Sequence, residues 1–357
     1  MKKRMLSLLL CGAMCAGLLS GCGNASSAEV LNVYNWGEYI DTDLIDQFEE
    51  ETGIKVIYNT FDSNENLYSR IQTTSYDVII PSDYAISRFI DEDMLQPLNY
   101  DHIPNMKLID EKYTHLDFDP EQKYSVPYTW GTLGIIYNPT LIGGDVDSWG
   151  ALFDSQYAGK TAMIGNPRDA MAAALMYLGY SINTDDQTQI QQAYQLIADA
   201  KANGQYQGFF MDEIYDKMEV GETALCSYYA GDYLSMYMNN PDLKYVIPKE
   251  GSNWFVDAMC ILKSSQHMSE AEEWINFIAS TDSNLANMDY IWYASPNREA
   301  LEQYPAYYAE VNEEELDPEI YEIMAPPAET LDRCEIYENL PKDTLRLYDR
   351  LWTRLGV

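Results

Sequence analysis

Short apolar runs and stretches with apolar residues every three or four positions alternate along this chain, predicting strands and helices in turn. Val30 to Val33 is mostly apolar and reads as a strand. Tyr34-Asn35-Trp36-Gly37-Glu38-Tyr39 follows at a strand-to-helix turn. Asp41-Thr42-Asp43 opens a helix with Leu44, Ile45 and Phe48 on one face, and Gly53 lies where a helix cap belongs. Ile54 to Tyr58 reads as a strand and Leu67 to Thr73 as helical. Asp77-Val78-Ile79-Ile80 is a compact strand stopped by Pro81, apolar enough to be buried on both faces of a sheet. Ser82, Asp83 and Tyr84 stand at its end.

The second half continues the pattern. Tyr124 to Asn138 is rich in glycine and β-branched residues and reads as an extended segment passing from one lobe to another. Trp149 to Phe153 is a short helix and Lys160 to Ile164 a strand. Gly165-Asn166-Pro167-Arg168-Asp169 opens a helix reaching about Leu178. Ile190, Ala193, Tyr194 and Ile197 mark an amphipathic helix. Ala224 to Tyr229 is a strand that runs into Ala230-Gly231-Asp232, and Tyr245 to Pro248 is another strand. Trp254 to Leu262 is a long apolar run with one acid, Asp257, inside it. Ala271 to Ala279 is a helix, Tyr290 to Asn297 an aromatic loop, and Thr344 to Arg354 the last helix. The acidic run of Glu313, Glu314, Glu315, Asp317 and Glu319 reads as a solvated face.

Several strands thus finish in aromatic and acidic groups, which a core alone does not require. In open α/β sheets, ligands bind outside the carboxyl ends of strands. Ring faces with carboxylates suit an organic cation. A carboxylate inside an apolar run is costly unless it is paired, so Asp257 reads as a group waiting for a cation or held by a core hydrogen bond. Asp169 serves equally as a ligand acid or as a favourable charge at a helix start.

Composition narrows the choice. The 357 residues suffice for two domains, and 22 basic residues against 57 acidic ones give a net charge of −35. That sign excludes nucleic acid as a partner and favours cations. Lys2, Lys3 and Arg4, the apolar Leu6 to Leu19, and then Leu19-Ser20-Gly21-Cys22 form a leader too short to span a bilayer. It resembles a lipoprotein lipobox, with Cys22 as the acylated residue and 23–29 as a tether. Cys226, Cys260 and Cys334 remain beyond it, with no CxxC and no metal-ligand spacing. His102, His115 and His267 are scattered, so neither a metal nor a cofactor is expected.

The motif Tyr34 to Tyr39, the run Phe48 to Tyr58, Pro81-Ser82-Asp83-Tyr84, Tyr124 to Tyr128 with Trp130-Gly131, and Pro248-Lys249-Glu250-Gly251 together resemble one family. It is the polyamine (spermidine/putrescine) substrate-binding lipoproteins of bacterial ABC importers. The resemblance implies an α/β, two-lobed periplasmic-binding-protein-like fold of type II, with crossover strands as a hinge. The expected division is 1–22 leader, 30–134 and 254–303 for one lobe, and 135–253 and 304–357 for the other. It also implies a ligand site. Trp36, Glu38 and Tyr39 match the first pocket motif, and Ser82 with Tyr84, beside Asp83, the second. Asp169 stands for a family glutamate, Tyr229 and Phe255 for tryptophans, and Asp257 for the key aspartate. Tyr293 matches a pocket tyrosine and Glu338 a position often glutamine. Gly37 replaces a threonine and Asn166 an aspartate, which leaves putrescine against spermidine open.

The resemblance implies no chemistry. It implies a monomer on the outer side of the membrane, partnered by a membrane-embedded permease and its cytoplasmic ATPase. A binding protein for a quaternary amine or other solute is the alternative. A secreted glycosidase using Glu38 and Asp257 is a remoter one.

Overall fold

The computed structural model describes residues 29–357, so Cys22 and the leader lie outside the described residues. Three parallel strands, β1 (Val30–Trp36), β2 (Lys55–Phe61) and β3 (Val78–Ile79), begin the fold, with β1 between the other two. Two long strands follow in the sheet: β4 (Ser125–Tyr137) and, later in the chain, β9 (Ser252–Ile261). β9 lies antiparallel between β3 and β4. All thirteen residues of β4 are buried, which explains a sequence without alternation.

β4 serves both halves of the molecule. Ser125 to Thr132 pair with β9, and Leu133 to Tyr137 pair with β7 (Leu225–Tyr229). Beyond β7 come β5 (Thr161–Ile164) and β6 (Tyr206–Phe210), both parallel to their neighbours. The path is therefore β2-β1-β3-β9-β4-β7-β5-β6, with β8 (Lys244–Val246) on β4 and β10 (Cys334–Glu335) on β9. Helices cover the faces. Leu44 and Phe48 of the helix Asp43–Thr52 join Trp274 and Ile275 of Met268–Ile278 in the core of the first half. Pro167–Tyr177, Gln187–Ala202 and Lys342–Leu355 pack together on the second.

Gly53 caps its helix at φ 77° in the left-handed region, as its position in the sequence predicts. Several segments differ from expectation, Tyr34–Trp36 belonging to β1 and Ala230–Asn239 being a helix. Asp83 and Tyr84 are the first turn of a helix, Asp83–Asp91, with Ser82 as its N-cap. Tyr290 and Ile291 close the helix Thr281–Ile291, and only the aromatic residues after them form the loop. Cys226 and Cys260 are buried free thiols, and Cys334 is free and half-buried.

Candidate functional site

The carboxyl ends of β1, β3 and β7 converge on one cleft, whose free volume is about 60 Å³. A water needs roughly 10–15 Å³ by that measure, so a handful of heavy atoms fits. β9 crosses the floor. Its Phe255 and Asp257 face the cleft from the strand that joins both halves.

Asp257 is 3% exposed. Its Oδ2 accepts from the Tyr39 hydroxyl at 2.8 Å, while Oδ1 has no partner among the described residues. Burial pushes its carboxyl up to about 7. The nearby Ser82 hydroxyl and the Tyr39 hydroxyl oppose that rise, and Asp169 adds to it. Asp169 starts the helix Pro167–Tyr177, where its charge meets the helix dipole. Its two oxygens accept from Tyr229 at 2.6 Å and from Tyr337 at 2.9 Å. Burial raises this carboxyl too, against those two phenols and the Arg168 charge. Asp232, in the first turn of Ala230–Asn239, accepts from the hydroxyls of Tyr215 and Tyr293, the latter at 2.6 Å. Burial lifts it to about 6, opposed by the same two hydroxyls.

Ring faces fill the space between these acids. Tyr229 meets Phe255 edge-on with centroids 5.4 Å apart, and Tyr39 meets Tyr293 at 5.0 Å. Trp36 leans on Phe61 at 4.7 Å, and its indole Nε1 has no partner among the described residues. Asn253 Oδ1 is likewise buried without a partner. Buried polar atoms are nearly always satisfied in native proteins, so the bare ones in this cleft leave it able to take a polar ligand.

Of the residues named from the sequence, nine line this cleft: Trp36, Tyr39, Ser82, Tyr84, Asp169, Tyr229, Phe255, Asp257 and Tyr293. Three do not. Glu38 sits at φ 47°, exposed, and is not among the lining residues. Asp83 is fully buried behind the wall, one oxygen accepting from the Tyr84 amide at 2.7 Å. Glu338 is exposed and lines a separate cavity with Asp91 and Asn339.

The cleft also contains Asp62, Asp212, Asp232 and Tyr337, which were not singled out in the sequence. Asp232 and Asp212 each lie three or fewer residues beyond a strand end, β7 and β6, so the strand-end rule applied throughout would have found them. Tyr337 follows the two-residue β10, too short to leave a pattern. Gly37 has a steric role here: a Cβ built on it would lie 2.7 Å from Asp212 Oδ2, in the opposite half. Asp212 reaches solvent at the mouth. Desolvation of its carboxyl, then repulsion from Glu38, Glu213 and Asp62, raises it.

Residues 43–313 match the profile of the bacterial extracellular solute-binding proteins. The putrescine-binding periplasmic protein SpuD of Pseudomonas aeruginosa is 31% identical, the alignment covering 99% of this chain and 97% of that protein. The spermidine/putrescine-binding periplasmic protein of Escherichia coli is 30% identical, with 99% of each chain covered. Among solved structures, PotD of Streptococcus pneumoniae superposes with a TM-score of 0.75 at 33% identity, over 92% of this chain and 99% of that one. A protein from Listeria monocytogenes assigned to spermidine/putrescine ABC transport reaches 0.85 at 37%, over the same shares.

Proposed function

The chain belongs to the bacterial extracellular solute-binding proteins, among the spermidine/putrescine-binding substrate-binding proteins of ABC importers, and on that premise we propose that its cleft captures polyamines. One observation carries this reading. The cleft presents five aspartates (Asp62, Asp169, Asp212, Asp232 and Asp257) between aromatic faces, and no basic side chain lines it among the described residues.

A polyamine is a methylene chain bearing ammonium groups. Each CH2 buried against a ring gains about 0.8 kcal/mol. Each ammonium leaving water must find a carboxylate or several acceptors. Asp257 Oδ1, bare and buried, is the strongest acceptor on offer, with Asp169 and Asp232 for a second ammonium. Trp36, Tyr229, Phe255 and Tyr293 bracket the methylenes, and Tyr39, Ser82 and Tyr84 complete the wall. The bare acceptors favour an N–H donor. A quaternary ammonium has none to give to Asp257 Oδ1, which weighs against that alternative. The family binds solutes and is not enzymatic, so the paired acids need no hydrolytic role.

The rest of the proposal follows the family. Ligand binding between lobes 30–134 with 254–303 and 135–253 with 304–357 stabilises a closed form, which the permease and its ATPase then engage. The transfer of β4 pairing from β9 to β7 between Thr132 and Leu133 supports a boundary there. The protein works as a monomer outside the cytoplasm. No helix among the described residues is long and apolar enough to cross a membrane. The lipobox resemblance supports attachment through a lipid on Cys22.

Calorimetric titration with putrescine, spermidine and choline tests the reading. Wild type binds at least one polyamine and not choline. Asp257→Asn loses about 30-fold or more, the usual result of removing one partner of a buried charge pair. Equal affinity in Asp257→Asn would falsify the central ion pair.

A further inference from the structure

Arg168 is 3% exposed, yet it makes no salt bridge among the described residues. Its hydrogen bonds are long. Both terminal nitrogens reach the Glu338 carbonyl at 3.5 Å, Nη2 reaches Asn183 Oδ1 at 3.3 Å, and Nε has no partner among the described residues. A buried cation without a carboxylate is costly unless something else compensates it. The buried carboxylates of Glu65, Asp83 and Asp169 feel its charge without pairing with it, and three ring faces pack against it directly. The guanidinium carbon lies 4.5 Å from the Tyr337 centroid, 5.0 Å from Tyr84 and 5.7 Å from Tyr348.

These rings come from different halves of the molecule. Tyr84 stands on the helix that follows β3, in the first half. Tyr348 lies on the C-terminal helix, which packs on the second half together with the helix that carries Arg168. Tyr84 meets Tyr337 edge-on at 5.7 Å, and both line the cleft, which Arg168 does not. The Tyr337 hydroxyl donates to Asp169, the residue next to Arg168.

We propose that Arg168 is a positioning residue that latches the two lobes behind the ligand, acting through Tyr84 and Tyr337. Opening the cleft carries Tyr84 away and leaves the cation two faces in place of three. An ammonium group at Asp169 fixes the Tyr337 hydroxyl, and the same ring then holds Arg168 and Tyr84 together. The latch therefore slows ligand escape. It rests on the polyamine reading of the cleft.

The test is stopped-flow dissociation of putrescine or spermidine from the mature protein, whichever binds. It compares wild type, R168K, R168Q, Y84L and R168K/Y84L, with melting temperatures as a control for folding. Lysine keeps the charge and loses the plane; glutamine keeps a plane and loses the charge. Both release ligand about tenfold faster while association changes little, since affinity changes within one interface fall mostly on dissociation. R168K/Y84L releases ligand much more slowly than the product of the two single effects would give. If R168K fails to fold, R168Q and Y348L, which strips one ring face from outside the cleft, give the same reading. Unchanged dissociation in the folded variants, or multiplicative effects in the double mutant, overturns the latch and leaves the polyamine reading intact. Failure of wild type to bind either polyamine overturns both.

Discussion

Asp257 has one oxygen satisfied by Tyr39 and one bare, and the balance between them sets how the cleft responds to acid. Burial holds its proton up to about pH 7 and that of Asp232 up to about 6. An unfolded carboxyl gives up its proton near ~4. Both groups bind protons more tightly folded than unfolded, so their contribution to stability falls as pH climbs through that window. A bound ammonium reverses this by favouring the ionised forms. Binding should therefore release protons near neutrality, and the dissociation constant at pH ~5.5 should exceed that at pH ~7.5 about tenfold or more. Calorimetry in buffers of different ionisation enthalpy reads both quantities, and a flat profile would remove these two acids from the site. Residue roles were partly legible in the sequence. Asp257 stood out because an acid inside an apolar run is unusual. Glu38 was read from its place at a strand end and in the family motif, yet it is exposed and sits at positive φ outside the cleft lining. Strand-end position selects candidates; the fold decides which of them line the cleft.

At the level of elements, the strands were easier to read than the helices between them. β4 and β9 are long, apolar and bounded, so their extent follows from composition alone. The helix Ala230–Asn239 was hidden because its start, Ala230-Gly231-Asp232, continues the aromatic end of β7. That helix start is also the tightest point in the site. A Cβ on Gly231 would lie 2.4 Å from the Tyr293 ring. Gly231→Ala must push the ring aside and break its bond to Asp232. We expect a loss of about 1–3 kcal/mol in urea unfolding, the usual cost of overpacking, together with weaker polyamine binding. Unchanged stability and affinity would show that Tyr293 has room to move. A Cβ on Gly37, by contrast, meets only the end of the Asp212 side chain at the mouth, which can swing into solvent.

The whole molecule is two half-sheets joined through β4 and β9, with the cleft between them. Its expected motion is a hinge on those shared strands. Small-angle scattering should record a smaller radius of gyration with a bound polyamine than without one; identical curves would leave the hinge without support. Two lobes and the crossing of Tyr124 to Asn138 were legible in the sequence, but no local pattern tells that β9 returns to lie between β3 and β4. That return bears on assembly. β1, β2 and β3 cannot join β4 until β9 is inserted between them, and β9 ends at Ile261. No part of the chain before that point can complete the first half-sheet. Pairing across so long a separation in sequence is slow. The topology thus postpones native structure until most of the polypeptide has been made.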